Sequence, residues 1–495
     1  MIQSLSHLAG IFLALAVAST SARAEDRFVS PAGNDTNNGL TTQSAFRTLA
    51  AAAKATPAGT HTIRLAAGEY PESESSVLAP GVSITGAGTG QTIIRWSARQ
   101  AASESKASPE PDKIAIRATN TSKASISGFT LIGSLPGDQR ANTGIVVHGA
   151  SDFSIHDLEV NGFEFCAIWL HDAVNSTIRN NRLDDNALPH KESCSGGLQL
   201  GHMTDCSIHH NTIREHRGAY GIKTCIPEWT NRNDPWNAPH VKLVRVMIHS
   251  NDIKLRQQGG WGQGQPNMAI ELWRSEPDSC EIYLNRVNTC VSLVDGGTAA
   301  KTIRVHHNLF ILDPGYNYAL EAGHHNMEVD HNVFRNGVYP IATWGGSPKN
   351  LHIHNNVFDG IEDVALMALT GAIDWRFVNN TVVVKKDMPV LSLGKQGKES
   401  TGILIADNIF VKDGGEPMAA QLVATEAGNQ PAPGSISIRG NVFWNWKPAG
   451  ADSQSADPML VREPEGDQLL KLAPGSPALK AGKGSPGGTW PTITR

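Results

Sequence analysis

The chain has 495 residues and a formal charge of −5, from Lys+Arg 42 against Asp+Glu 47. A near-neutral chain without basic blocks is a poor match to proteins that hold nucleic acid through phosphate contacts, and an apolar share of 40% supports a large core rather than wholesale disorder. Only 18% of the residues are charged while Gly reaches 48, a balance that points to many turns and a β-rich fold; length alone suggests about two to four domains, a prior that repeat folds break.

At the start, Leu8 to Ala18 is an apolar run followed by Ser19-Thr20-Ser21-Ala22-Arg23-Ala24. This is the pattern of a secretory signal over residues 1–24, with an A-x-A cleavage site after Ala24, although its early segment carries His7 and no Lys or Arg. The run is too short to span a membrane, and no later run reaches about 18 apolar residues. An exported protein, periplasmic or extracellular and without a membrane span, is expected. Residues 25–112 read as an N-terminal cap and first coils. Within them, Ala45 to Lys54 has the composition of a short helix, stopped by Pro57-Ala58-Gly59.

From about residue 113 the chain repeats itself. An apolar residue, two variable residues and an Asn recur, as in Thr177-Ile178-Arg179-Asn180-Asn181 and Ser207-Ile208-His209-His210-Asn211, and again around Asn251, Asn285, Asn308, Asn332, Asn356, Asn380, Asn408 and Asn441. From Asn285 the steps are 23, 24, 24 and 24 residues. Each repeat also holds an upstream strand, such as Ala167-Ile168-Trp169-Leu170, Gly221-Ile222-Lys223-Thr224 or Ala319-Leu320-Glu321-Ala322. Its period of two sends the apolar pair into one core and the residue between them outward. A period in the twenties with short strands predicts a parallel β-helix over 113–445, an all-β solenoid of about ten or more coils. The corner Asn series is expected to be structural, satisfying turn backbone and stacking coil on coil. A solenoid needs covered ends; the short helix covers the first, and the Pro-, Gly- and Ser-rich segment 446–495 reads as a C-terminal cap or wrapping tail.

Six cysteines, Cys166, Cys194, Cys206, Cys225, Cys280 and Cys290, form no CxxC pair, so a zinc site of that type is not indicated. Buried thiols, or one or two bridges between neighbouring coils, are expected. The pairs His209-His210, His306-His307 and His324-His325 invite a metal reading, but adjacent strand residues point opposite ways and rarely chelate one ion. No metal ligands are assigned.

The residues Phe28-Val29-Ser30-Pro31-Ala32-Gly33-Asn34-Asp35, Asn38-Gly39, Phe46-Arg47-Thr48-Leu49 and Ile63-Arg64-Leu65-Ala66-Ala67-Gly68-Glu69-Tyr70 open the chain in a recognisable way. Near its other end stand Asp457-Pro458 and Leu472-Ala473-Pro474-Gly475-Ser476-Pro477-Ala478. Together these resemble the right-handed parallel β-helix proteins of the pectate-lyase-like superfamily. The resemblance implies the hand of the coil and a carbohydrate-active protein. That group spans lyases, glycoside hydrolases, epimerases, fructan-converting enzymes and adhesins, so it does not fix the reaction. The Asp cluster of calcium-dependent pectate lyases and the Asp-Pro-His-Asp element of mannuronan epimerases are both missing.

The outward residues of the upstream strands form a column: Arg117, Val146, Trp169, Gln199, Lys223, Glu271, Ser292, Glu321, Ala342, Met367 and Ser392. Its middle, from Gln199 to Glu321, is continuously polar, which reads as a groove. The next outward position adds His148, His171, Trp273 and Trp344, and Arg274, Asp295 and His324 follow at the turn. Trp273 and Trp344 are either sugar platforms or packed under loops. Insertions at 226–241 and 256–267 flank the same coils.

Two chemistries fit. Glycoside hydrolysis needs two carboxyl groups. Glu271 and Glu321, on alternate coils, have backbones roughly 9.6 Å apart by strand spacing, nearer the inverting range of about 6.5–9.5 Å than the retaining one. Lys223 beside Glu271 suits that residue to the base role and leaves Glu321 the acid, with Asp295 a closer partner to either. Trp169, Gln199, Trp273, Arg274, Ser292, His324 and Trp344 are the candidate substrate contacts. No cofactor is required. A polyuronide lyase would instead use Lys223, Arg274, His324 or His171 around the substrate carboxylate, with Glu271 and Glu321 available to Ca²⁺. Hydrolase is placed slightly ahead of lyase, and the expected partner is a polysaccharide or oligosaccharide. A non-catalytic carbohydrate-binding surface β-helix is the reading from a different class.

Overall fold

The computed structural model describes residues 25–97, 113–135, 139–186, 196–214, 220–227, 239–255, 267–294, 301–343, 348–369, 371–394, 400–418, 421–425, 431–463, 466, 468–480 and 483–486. The signal-like segment 1–24, Cys194, Asp295 and Trp344 lie outside these residues.

The repeat closes into three long sheets of 15, 17 and 15 strands. Neighbouring strands are parallel, apart from Ser134–Leu135, which runs antiparallel to Gln139–Ser151. Many strands are only three residues long, with one apolar residue between two polar ones. In Thr177–Arg179 and Ser154–His156 only the central Ile is buried. One side chain per strand is enough because the next coil repeats it one strand spacing away. In the first sheet Ile155, Ile178, Ile208, Ile248, Ile282, Val305, Val329 and Ile353 stand in register and are buried to 1% exposure or less. In the third, Phe310, Phe334 and Phe358 stack with ring centroids 4.7 and 4.9 Å apart. Each such side chain contributes about 1.5–3 kcal/mol on burial, so the core is a stack of small identical increments.

The corner Asn residues turn the chain from the first sheet to the third. The residue before each one bends through the left-handed region: His210, Ser250, Leu284, His307, His331 and Asn355 all have φ between 53° and 55°. That bend leaves backbone groups without strand partners. The Asn fills them. Asn332 Nδ2 donates to Val305 O at 2.8 Å and to Asn356 Oδ1 at 3.0 Å, while its own Oδ1 accepts from Asn308 N at 2.9 Å and Asn308 Nδ2 at 3.0 Å. The same pattern runs from Asn181 to Asn441 as a continuous buried ladder.

Coiling begins before the clear repeat, with Asp26–Val29, His61–Leu65 and Val82–Thr85 already paired in the first sheet. The helix is Leu49–Ala55, starting later than its composition predicts. Thr48 is its N-cap, accepting from Ala51 N at 3.2 Å, and Asp35 Oδ1 accepts from Arg47 N and Thr48 N. Those bonds tie down Arg47 and hold Thr48 extended as the cap, at φ −115° and ψ 149°, so the helix begins at Leu49. It buries Leu49, Ala52 and Ala53 over the first strands. The C-terminal segment runs back along the outside of the third sheet, where Leu469, Leu470 and Ala478 pack on Leu309, Val333 and Val357. Ser485 Oγ donates to Asn355 O at 2.7 Å, 130 residues away in the chain. Cys166, Cys206, Cys225, Cys280 and Cys290 are all buried, and no disulfide joins any two of these five. No helix among the described residues is long and apolar enough to cross a membrane.

Candidate active site

The second sheet carries the column. Its register is the one that the period-two reading predicts: Arg117, Val146, Trp169, Gln199, Lys223, Glu271, Ser292, Glu321, Ala342, Met367 and Ser392 pair in succession. The expectation of an open polar face is corrected. From Val146 to Ala342 every member is buried, Gln199 and Ser292 completely, while Glu271 and Glu321 keep 6% and 7% of their surface.

Burial forces these polar groups to pair, because an isolated charge out of water is costly. Lys223 Nζ donates to Glu271 Oε2 across adjacent coils. The same ammonium lies 3.8 Å from the centroid of the Tyr220 ring and 5.4 Å from that of Trp273, within cation–π range of both. Ser292 Oγ donates to Glu321 Oε2 at 2.7 Å. Burial still pushes the Glu321 carboxyl up to about 7, with the Glu271 carboxylate adding to the rise and the Ser292 hydrogen bond opposing it. The column therefore holds an ion-paired carboxylate and, two coils on, a carboxyl that keeps its proton close to neutral pH.

Gln199, in register between Trp169 and Lys223, is wholly buried, and neither its amide oxygen nor its amide nitrogen meets a partner among the described residues. Leaving such atoms unpaired costs about 1–3 kcal/mol each, so the Gln199 amide is a candidate to meet a further polar group.

Other candidates are arranged differently from the sequence expectation. Trp169 is 2% exposed and donates its indole N–H to Cys225 O at 3.2 Å, so it presents no free ring to a sugar. Trp273 is half-buried and packs on the core. Arg274, at φ 47°, folds its guanidinium over that indole, 5.7 Å from the ring centroid. His324 is 1% exposed, and its Nε2 lies 3.5 Å from Ser275 Oγ. Burial holds the His324 imidazole down at about 4, so it is neutral. His171 stacks on His148 at 3.9 Å and is likewise pushed down to about 4, chiefly by burial. Asp295 and Trp344, and most of both insertions (228–238 and 256–266), fall outside the described residues.

The sequence reading missed the tyrosines. Tyr220 sits under the Lys223 ammonium, and the buried Tyr318 and Tyr316 crowd the Glu321 side of the column, their hydroxyls pushed upward by burial and by Cys290. Tyr316 Oη donates to Asn267 O at 2.7 Å. The signal was available: a Tyr stands three residues before the column position in Tyr220-Gly221-Ile222-Lys223 and in Tyr318-Ala319-Leu320-Glu321.

The family model for the right-handed β-helix region matches residues 82–230. No curated protein sequence matches the chain. Among solved structures, the PL6 family alginate lyase AlyGC is 14% identical, with a TM-score of 0.54 over 95% of this chain and 58% of its own. A mutant of AlyGC gives 14%, 0.51, 88% and 55%. The A-module of the Azotobacter vinelandii mannuronan C-5 epimerase AlgE4 is 15% identical, with a TM-score of 0.35 over 81% of this chain and 91% of its own. This chain thus spans 55–58% of the length of the alginate lyase chains it matches. With three parallel sheets wound as one coil, these matches identify the chain as a right-handed parallel β-helix protein.

Proposed function

We propose that the protein is an exported carbohydrate-active enzyme that hydrolyses glycosidic bonds at the buried column. The observation that carries this reading is the pair of carboxyl groups in unlike states. Glu321, seated on Ser292 and pushed up to about 7, can deliver a proton; Glu271, two coils away and ion-paired to Lys223, can accept one. Glu321 protonates the glycosidic oxygen as the bond from that oxygen to the anomeric carbon breaks. Water attacks the anomeric carbon from the other face and loses its proton to Glu271. The register separates the two backbones by two strand spacings, roughly 9.6 Å, which leaves room for that water and favours inversion. Gln199, whose amide meets no partner among the described residues, would supply a donor and an acceptor for a sugar hydroxyl beside Lys223. No metal is needed for this scheme. Ca²⁺ takes about 6–8 oxygen ligands, and the column offers few, with the Lys223 ammonium already on Glu271.

A lyase reading has its own support. Lys223 and Tyr220 form a base-like pair in the same strip, and two of the solved structures that the chain resembles, with TM-scores of 0.51 and 0.54, are alginate lyase chains. There a base would take the C5 proton of a uronate, the bond from C4 to the leaving oxygen would break, and a C4–C5 double bond would form. A panel of neutral and uronate-containing polysaccharides separates the readings. New reducing ends without ultraviolet absorbance support hydrolysis; absorbance from an unsaturated uronate overturns it in favour of the lyase. Binding without turnover leaves only a carbohydrate-binding surface protein.

A further inference from the structure

The outer face of the first sheet carries a set of ligands that the sequence reading did not assign. Met327–Asp330 pairs in parallel with Leu351–His354, placing Glu328 opposite His352 and Asp330 opposite His354. Met327, Val329, Leu351 and Ile353 fill the core. Period two therefore turns Glu328, Asp330, His352 and His354 to the same outer side. Glu328, His352 and His354 are each half-buried, and one ligand atom from each lies within 4.8 Å of the others. His354 Nε2 already stands 2.9 Å from Glu328 Oε1, and the rings of His352 and His354 are 4.2 Å apart at their centroids.

We propose that Glu328, His352 and His354 form a binding site for a divalent transition metal, Zn²⁺ being the chemistry that fits, clipping two adjacent coils together on the face away from the column. The argument rests on donor type and reach. Two imidazoles and one carboxylate suit Zn²⁺, with open positions left for water, whereas Ca²⁺ and Mg²⁺ select oxygen. His354 Nε2 and Glu328 Oε1 are 2.9 Å apart, and two ligands of a tetrahedral Zn²⁺ at about 2.0–2.1 Å stand about 3.3 Å apart, so a few tenths of an ångström of opening admits the ion. Asn355 Nδ2 lies 3.1 Å from the other His354 ring nitrogen and donates to it; a metal on Nε2 moves the ring proton to that nitrogen, so the Asn355 amide would turn to present its oxygen as the acceptor that fixes a ligand imidazole. Two cations temper the site. Arg376 stands in register with His352. Arg304 reaches Glu328 at only 3.7 Å because its two close contacts, both 2.7 Å, go to Asp330. The same contacts disfavour the adjoining group His307, Asp330 and His331 as a metal site, since both Asp330 oxygens are taken.

The test uses untagged full-length protein and Zn²⁺ alone, followed by calorimetric titration at neutral pH, with Co²⁺ absorption as a second readout. One equivalent should bind, and a chelator should reverse it. The double variant His352→Ala/His354→Ala, whose side chains lie outside the core, should weaken Zn²⁺ by more than about tenfold, as should Glu328→Gln; His307→Ala/His331→Ala should not. Absence of Zn²⁺ binding, or binding unchanged in the first two variants, overturns the proposal. None of these readouts depends on a carbohydrate activity.

Discussion

Replacing Asn332 with Ala removes a whole rung of the corner ladder. Four side-chain hydrogen bonds go: two donated, to Val305 O and Asn356 Oδ1, and two accepted, from Asn308 N and Asn308 Nδ2. The losses are unequal. Asn308 Nδ2 keeps Ile282 O and His306 O, and Asn356 Oδ1 keeps Asn332 N. The Asn308 N–H and the Val305 carbonyl bear the loss, at a corner where the Asn residues are 1% exposed or less. At about 1–3 kcal/mol for each unsatisfied buried group, the variant should lose about 2–6 kcal/mol. Asn332→Asp is the sharper perturbation, being isosteric but without the donor. At neutral pH it sets a carboxylate against Val305 O and Asn356 Oδ1 and should be worse than Ala; acidification restores a donor and should recover part of the loss. Urea denaturation followed by circular dichroism, at pH 7 and pH 4, reads both. A loss below about 1 kcal/mol for Ala, or an Asp variant as stable as wild type at pH 7, would refute the idea that the ladder holds the corners.

Further predictions concern the column and the thiols. Glu321 has a folded-state value of about 7 against 4.5 for the free group, so its stabilising contribution is whole below about pH 4.5 and is lost as pH rises toward 7. The difference is worth about 3 kcal/mol, and Glu321→Gln should flatten that part of the pH–stability curve; an unchanged slope between pH 5 and 7 would contradict the burial of a protonated carboxyl. Lys223→Met strands the Glu271 carboxylate and should cost about 3–5 kcal/mol, while Lys223→Met/Glu271→Gln should recover most of it; equal losses in both, measured by thermal unfolding, would mean that the ion pair does not govern the strip. In a Cys194→Ser background the remaining five thiols, with Cys206 and Cys280 pushed up to about 11 by burial, should react with a thiol reagent only on unfolding; rapid labelling of the native protein would contradict the packed coil.

How much was legible depends on the range of the interaction. The coil, the corner Asn positions and the full register of the column follow from a period of two inside a period near 24, because each rests on a strand and its neighbour one turn on. Exposure was not legible. Trp169 is sealed by a carbonyl 56 residues away, and Lys223 is covered in part by Trp273 from the next coil, contacts that no local pattern encodes. The helix start was misplaced because Asp35 and Thr48 meet only after the N-terminal loop closes. Adjacent His pairs point to opposite faces of a strand, whereas His352 and His354, two apart, share a face, and their closeness to Glu328 depends on the neighbouring coil.

The most direct test of the central claim is the pH–rate profile of glycosidic cleavage by the wild type and by Glu321→Gln, on whichever member of the polysaccharide panel is turned over. A carboxylic acid near 7 acting as proton donor predicts a wild-type rate that falls as pH rises through about 7, with that limb and orders of magnitude in rate lost in the folded variant. A Glu321→Gln enzyme with near-wild-type rate and an unchanged alkaline limb would show that Glu321 is only a buried partner of Ser292.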